Sequence, residues 1–392
     1  MLRSLFSGIS GLRSHQTMLD VTGNNIANVN TTGFKASQVQ FQDTLSQIVQ
    51  GAGGAQDGVG GTNPAQVGLG VRVAGVTTSF TQGAVQSTGR STDMMIQGDG
   101  FFVVRKGAET FYTRAGSFDF DATGQMVLPG DGALVQGWIA DNKGVIDTNG
   151  PLADLQVAAG TTMPAVKSDE AYVKGNLDEA AEVGTTRTLT EKLYDAAGNE
   201  RTLTVTLTRQ AGGWAVALDD GAATATDTVT FNPDGSLVGP ATVLLGDVTV
   251  DLSALTGYAG LDTVQPAGQD GQPAGTLLSF SLGADGTITG AFSNGLKQTI
   301  GRIALGTFTN PAGLEKAGGS LYRTSVNSGA AQIGTAGTGG RGSLAGSALE
   351  MSNVDLSSEF TSLIVAQRGF QANSRIITTS DEVLNELVNL KR

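Results

Sequence analysis

Residues 354–390 read VDLSSEFTSLIVAQRGFQANSRIITTSDEVLNELVNL. Leu356, Phe360, Leu363, Ile364, Gln367, Phe370, Ile377, Leu384, Leu387, Val388 and Leu390 recur at helical spacing and predict one continuous stripe. Asn353 or Asp355 is placed to cap the helix, and Lys391 and Arg392 follow its end, where cations suit the negative pole of the helix dipole. Such a helix spans roughly 55 Å, well beyond the globular average. Its partner is predicted over residues 2–29, where Leu2, Leu5, Phe6, Ile9, Leu12, Leu19, Ile26 and Val29 form a second stripe. Gly8, Gly11 and Gly23 weaken that helix by roughly 1 kcal/mol each. Asn24, Asn25, Ile26, Asn28, Asn30, Gly33 and Phe34 then make an elaborate cap and turn, because Asn bonds locally and tolerates left-handed backbone. Two long striped helices at the chain ends, with almost nothing helical between, predict a paired coiled-coil domain.

The middle reads as β structure. Glycine turns at 98–100, 122–124, 129–132, 196–199, 232–235 and 284–286 separate short runs of Thr, Val, Phe and Leu. Over 202–208, Leu203, Val205 and Leu207 alternate with threonines, the pattern of an antiparallel strand with one buried face. Residues 187–194, 200–209 and 213–219 predict a meander, and 248–252 alternates again. Residues 51–66 and 334–346 are glycine-rich and read as flexible linkers on either side of the β region. The predicted architecture is therefore mixed but mainly β, with three parts. Residues 1–66 plus 350–392 form a helical domain with its linker. Residues 67–156 plus 284–349 form a discontinuous inner β domain. The Thr- and Asp-rich residues 157–283 form an inserted, outer, β-barrel-like domain.

Composition excludes several chemistries. The 392 residues contain 57 glycines, 1 histidine and 0 cysteines, so disulfides, thiol catalysis and Cys or His-cluster metal sites are not expected. Ser-His-Asp catalysis would rest wholly on His15, which falls in the first helix, where a lone histidine reads as a surface or interface residue. The glycines at 334–342 lack the lysine of a phosphate loop, and the pairs Asp169-Glu170, Asp178-Glu179 and Asp219-Asp220 match no calcium loop and read as turns or a solvated acidic face. Trp138 and Trp214 read as packing residues. No catalytic, cofactor or metal site is expected.

Charge is distributed by position. Arg3, Arg13 and Lys35 against Asp20 and Asp43 at one end, and Arg341, Arg368, Arg375, Lys391 and Arg392 against Glu350, Asp355, Glu359, Asp381, Glu382 and Glu386 at the other, leave the ends neutral together. The net −12 therefore lies on residues 51–340. An acidic middle argues against nucleic-acid partners, and neutral ends suit dense packing between like copies. No apolar run is long enough to span a membrane, and the interrupted N-terminus does not read as a cleaved signal peptide.

Three blocks of motif stand out. The first runs from Leu19-Asp20-Val21 through Asn24 to Lys35. The second joins Gly98–Val104, Tyr112–Phe118 and Gln136-Gly137-Trp138. The third joins Ser352–Leu356, Gln367–Arg375 and Leu387–Arg392. On these blocks the chain resembles the bacterial flagellar rod/hook axial protein family, most closely its hook members. Residues 160–280 carry none of these motifs. The large Thr/Asp-rich insertion favours hook over rod, since rod members are typically much shorter. The resemblance implies a subunit of a helical homopolymer: a short curved tube that joins rod to filament and transmits torque as a universal joint. It implies terminal helices along the inner channel, an inner β shell and an exposed outer domain. It also implies export through the flagellar type III apparatus without a cleaved signal, an extracellular place in the hook, and rod, hook-cap and hook-filament junction proteins as partners. On it, Leu5, Ile9, Leu12, Leu19, Asn24, Asn25, Ile26, Asn28, Asn30, Phe34, Leu356, Phe360, Ile364, Gln367, Arg368, Phe370, Asn373, Arg375, Ile377, Leu384 and Leu387 are expected at subunit interfaces. Cross-linking through a cysteine, used by some family members, is excluded. The competing readings are a distal rod protein with an insertion and, from another class, a secreted β-rich adhesin or hydrolase.

Overall fold

A computed structural model describes residues 2–54, 57, 60–141, 144–157 and 160–389. The two terminal helices are α1 (Leu2–Ala27) and α2 (Leu356–Asn389). Leu390, expected to end the C-terminal stripe, and Lys391 and Arg392 after it lie outside the described residues. Asp355 is the cap of α2: its Oδ1 accepts from the backbone N–H groups of Ser357 (2.9 Å) and Ser358 (3.4 Å). Asn353 is instead turned onto the neighbouring chain segments. α1 stops at Ala27, two residues before the predicted end, so Val29 falls in the turn. Asn28 donates through its side chain to Asn24 O (2.9 Å), Thr31 Oγ1 donates to Asn28 Oδ1 (3.0 Å), and Gly33 turns the chain with φ +67.

The helices lie antiparallel, since Gly8 and Gly11 of α1 face Asn373 while His15 faces Gly369 and Asn25 bonds Glu359. The two stripes meet only in part. The seam mixes small and polar groups with apolar ones: the glycines let the helices approach, and the Ile376 and Ile377 side chains lie 3.5 Å from where a Cβ on Gly8 would sit. A Cβ on Gly11 would come within 2.7 Å of the Asn373 side chain, and one on Gly369 within 2.5 Å of the His15 ring. Ser14, Thr22, Ala366 and Ser380 are buried, while many of the large apolar side chains point elsewhere.

A ribbon connects the helices to the β region. Ser37–Asp43 pairs antiparallel with Val71–Thr78, and His15 packs on Phe41 with ring centroids 5.7 Å apart. Within the run 51–66, expected to be a flexible linker, the described residues Gly53, Thr62, Ala65 and Gln66 belong to a hairpin arm. Ser46–Gln50 pairs with Ala65–Gly68, and Gly53 bridges Thr62 beyond it.

The inner β region is a 14-stranded sheet system. Its main path runs Thr162–Met163, Gly275–Leu282, Thr287–Phe292, Lys297–Ile303, Ala133–Ile139, Phe101–Lys106, Glu109–Thr113, Leu321–Arg323, Glu315–Gly318. Its core is built from Met94, Ile96, Phe102, Phe118, Met126, Val135, Ile303 and Leu305, with Phe102 edge-on to Phe118. The segment 334–346 is also not a linker. Gln332–Gly334 pairs with Leu305–Thr307, Ser343–Gly346 pairs with Met94–Gln97, and Gly342 N donates to Asp99 O. Gly342 sits where any side chain would strike the Gln97 carbonyl, so glycine there serves close packing rather than mobility.

The outer region has two sheets over one core. The meander appears as Thr186–Tyr194, Glu200–Gln210 and Gly213–Asp219 within a five-stranded antiparallel sheet. A four-stranded sheet faces it, with Glu170–Asn176 parallel to Val248–Thr256. Leu203, Val205 and Leu207 point inward, as the alternation predicts, and pack with Trp214, Val250 and Leu252. Asp220 departs from the expected solvated acidic face. It is 6% exposed, bonded to Arg201 Nη1 at 3.0 Å and to two backbone N–H groups of its own turn. The chain enters and leaves this region through a paired neck, where Val166 and Gln272 exchange both backbone hydrogen bonds (3.0 and 2.9 Å). Thr162–Met163 and Gly275–Leu282 belong to the inner sheet system, so the neck lies inside the predicted 157–283 span.

Candidate functional site

The surface offered by the helix pair is the candidate site. In α2, Leu356, Phe360, Ile364, Val365, Ile376, Val383, Leu387 and Val388 are exposed, with Phe360 at 52% and Val388 at 70%. Among its described residues only Ala366 and Ser380 are buried. α1 adds Phe6, 64% exposed. The hairpin arm adds Leu45, Ile48, Val49 and Val67. Exposed apolar side chains on α2, α1 and the hairpin arm mark an association surface. Covering the exposed half of one such side chain stabilises an assembly by about 1 kcal/mol.

The expected interface residues fall into three groups. Leu356, Phe360, Ile364, Gln367, Arg368, Arg375 and Leu387 on α2, with Asn24 and Asn30 near the end of α1, are exposed. Leu5, Ile9, Leu12, Leu19 and Ile26 on α1, Phe370, Asn373, Ile377 and Leu384 on α2, and Asn28 and Phe34 in the turn, are half-buried. Asn25 is buried and acts within the chain. Its Nδ2 donates to Ser37 O (2.8 Å) and Glu359 Oε1 (2.9 Å), and its Oδ1 accepts from Ser37 N (3.0 Å). It thus ties α1, α2 and the ribbon together. Arg368 Nη1 donates to Gln371 Oε1 at 3.3 Å on its own helix. Arg375 lines an open groove of about 440 Å³ with Ser4, Ile376, Thr379, Ser380 and Val383.

The reading of the sequence missed a second cluster, which joins the helix and ribbon unit to the inner sheets. Lys35, Arg114 and Glu350 come from distant parts of the chain and are 0%, 3% and 1% exposed. Glu350 Oε1 accepts from Lys35 Nζ at 2.6 Å and from Gly83 N at 2.9 Å, and its Oε2 lies 3.5 Å from Arg114 Nη1. Burial pushes the Lys35 and Arg114 pKa values down, against the pull of Glu350. Beside them, burial pushes the Tyr322 hydroxyl up to about 12. Asn353 Oδ1 accepts from Ala36 N (2.8 Å), and its Nδ2 donates to Ser79 O (2.9 Å). The available signals were a lone lysine closing an Asn/Thr/Gly run and a lone acid, Glu350, in an otherwise apolar strand Ala348–Glu350.

Paired terminal helices around nested β sheets, with the apolar face of the helices left open, define a structural protein made to associate rather than a pocket-centred one. Comparison with known proteins narrows this class. Residues 5–35 match the family described as flagella basal body rod protein, 95–169 the flagellar hook protein FlgE/F/G D1 domain, and 345–390 the flagellar basal body rod FlgEFG protein C-terminal family. The flagellar hook protein FlgE of Treponema pallidum is 40% identical and that of Borreliella burgdorferi 38%, each alignment covering 100% of both chains. The flagellar basal-body rod protein FlgG of Bacillus subtilis is 37% identical, also over 100% of both. The Helicobacter pylori flagellar hook protein FlgE2 structure shares the fold, with a TM-score of 0.53 over 66% of this chain and 98% of that one at 15% identity. The chain belongs to the flagellar hook protein FlgE family, and it is a structural subunit of the bacterial flagellar hook.

Proposed function

We propose that the chain polymerises through its terminal helices into the curved wall of the hook, in a structural rather than catalytic role. The observation that carries this reading is the open apolar face of α2, which a lone subunit leaves in water along most of its length. Stacking neighbours would cover Leu356, Phe360, Ile364 and Leu387, while the half-buried α1 residues, the Gln367 amide and the Arg368 and Arg375 guanidinium groups would meet adjacent copies. The neutral ends support this, since like charges are not forced together there. We assign the helices to the channel wall, the 14-stranded system to a middle shell and the two-sheet region to the outside. Export through the type III apparatus and contacts with rod, hook-cap and junction proteins belong to the same reading.

Immunogold labelling of sheared flagella with antibody against residues 170–269 tests it. Gold on the short curved segment between basal body and filament is the expected result. Gold on a straight rod would favour the rod reading, and gold spread over the cell body with bare flagella would overturn both.

A further inference from the structure

Association explains the open helix face but not the ionic cluster inside the subunit. Lys35 lies in the turn after α1, Arg114 at the end of the strand Glu109–Thr113, and Glu350 just before α2. Two cations share one carboxylate. Lys35 Nζ also donates to Thr81 O at 2.7 Å. Arg114 stacks over Phe101 at 5.3 Å, and its Nε has no partner. For both cations, burial outweighs attraction to Glu350. A cluster of this kind is a weak source of stability, and apolar side chains of equal volume often serve stability better. What it supplies is direction. A carboxylate that must meet a lysine, a guanidinium and the Gly83 N–H permits one arrangement, whereas apolar surfaces can slide.

The surrounding contacts have the same character. Gly33 N donates to Glu350 O (2.8 Å), Lys316 Nζ donates to Ser37 Oγ (2.9 Å), and Asn353 bridges Ala36 and Ser79. The ribbon is therefore seated on the inner sheets by directional polar bonds beside one aromatic contact, Phe80 packed on Phe101 and Tyr322 with ring centroids 5.4 and 5.3 Å away.

We propose that Lys35, Arg114 and Glu350 are positioning residues that fix the angle between the helix and ribbon unit and the inner β sheets, and thereby the shape of the tube, at no gain in stability. The part concerning the tube rests on the hook reading; the part concerning the angle does not. A helical polymer repeats one subunit angle at every step, so a small change in that angle accumulates into altered curvature.

The absence of cysteine makes the test direct. Spin labels on Gln40→Cys in the ribbon and Glu109→Cys on the inner sheet, in the full chain, report the angle as a distance distribution. The triple variant Lys35→Met, Arg114→Met, Glu350→Leu is expected to melt within about 5 °C of the parent or above it, with a distance distribution at least twice as broad. Hooks built from it in cells should be misshapen or absent. Glu350→Gln, which strands two cations, should melt well below the triple variant. Lys35→Arg, which keeps charge while moving the donor, should give a narrow distribution displaced from the parent's. A triple variant that fails to fold, that keeps the parent's narrow distribution, or that is no more stable than Glu350→Gln overturns the proposal. Because the labels read the monomer, these outcomes are independent of where antibody falls on the flagellum.

Discussion

Gly11 and Gly369 are seats for neighbouring side chains rather than points of flexibility. Asn373 occupies the first and the His15 ring the second. Gly369→Leu is expected to cost the helix pair about 1–3 kcal/mol by overpacking. Amide exchange should rise across α1 and α2 while the inner sheets stay protected. Asn25→Ala removes bonds to Ser37 and Glu359 at once and leaves the Ser37 N–H without its partner, a loss of about 1–3 kcal/mol. Fewer and shorter hooks, counted by electron microscopy, are the expected outcome. Asn25 stood out in the sequence as part of an Asn-rich turn, but its partner Glu359, 334 residues away, did not. Helical spacing marked Phe360 and Ile364 as one face of α2 without telling whether that face met α1 or a neighbour. The deciding quantity was the closeness allowed by Gly8 and Gly11, and that is a property of two helices together.

At the scale of elements, glycine content was the least reliable guide. The runs at 51–66 and 334–346 have similar compositions, yet Gly53, Thr62 and Ala65 of the first pair within the hairpin arm and the second is built into the inner sheets through Gly342. Alternation was far more informative, because period two puts Leu203, Val205 and Leu207 on one face whatever they later pack against. Leu207→Ala should cost about 2–5 kcal/mol and lower only the melting of the outer sheets, followed by Trp214 fluorescence. The aspartate turns make a separate prediction. Asp121, Asp195, Asp234 and Asp285 are held below the usual carboxylate range by side-chain and backbone donors in their own turns, led by Thr123, Asn199, Ser236 and Thr287 respectively. A carboxyl group with a lowered folded pKa contributes stability above its unfolded pKa of about 4 and loses it as pH falls through the folded value. Urea midpoints should therefore hold near neutrality and drop below about pH 4, and Asp121→Asn with Asp195→Asn should flatten that drop.

For the whole molecule, the structure separates what associates from what folds. Removing residues 1–27 and 356–392 takes away both helices and leaves Lys35, Glu350 and the strands Ser343–Gly346 and Ala348–Glu350 in place. The remaining chain should give a cooperative melt and no tubes under any polymerising condition. Retention of tube formation would refute the role assigned to the helices. The helical ends, the mainly β middle and the nesting of one β region in another were legible in sequence, since each rests on local periodicity or on symmetry along the chain. The ionic cluster was not, because Lys35, Arg114 and Glu350 become neighbours only after the sheets close.

The neck at Val166 and Gln272 holds the two crossings side by side, bonded to each other rather than splayed. A natural lineage can therefore lengthen, shrink or exchange everything beyond that point while the wall beneath keeps its lattice. An experimenter has the same freedom: the neck is a socket on which foreign modules could be displayed at regular intervals along a rotating tube.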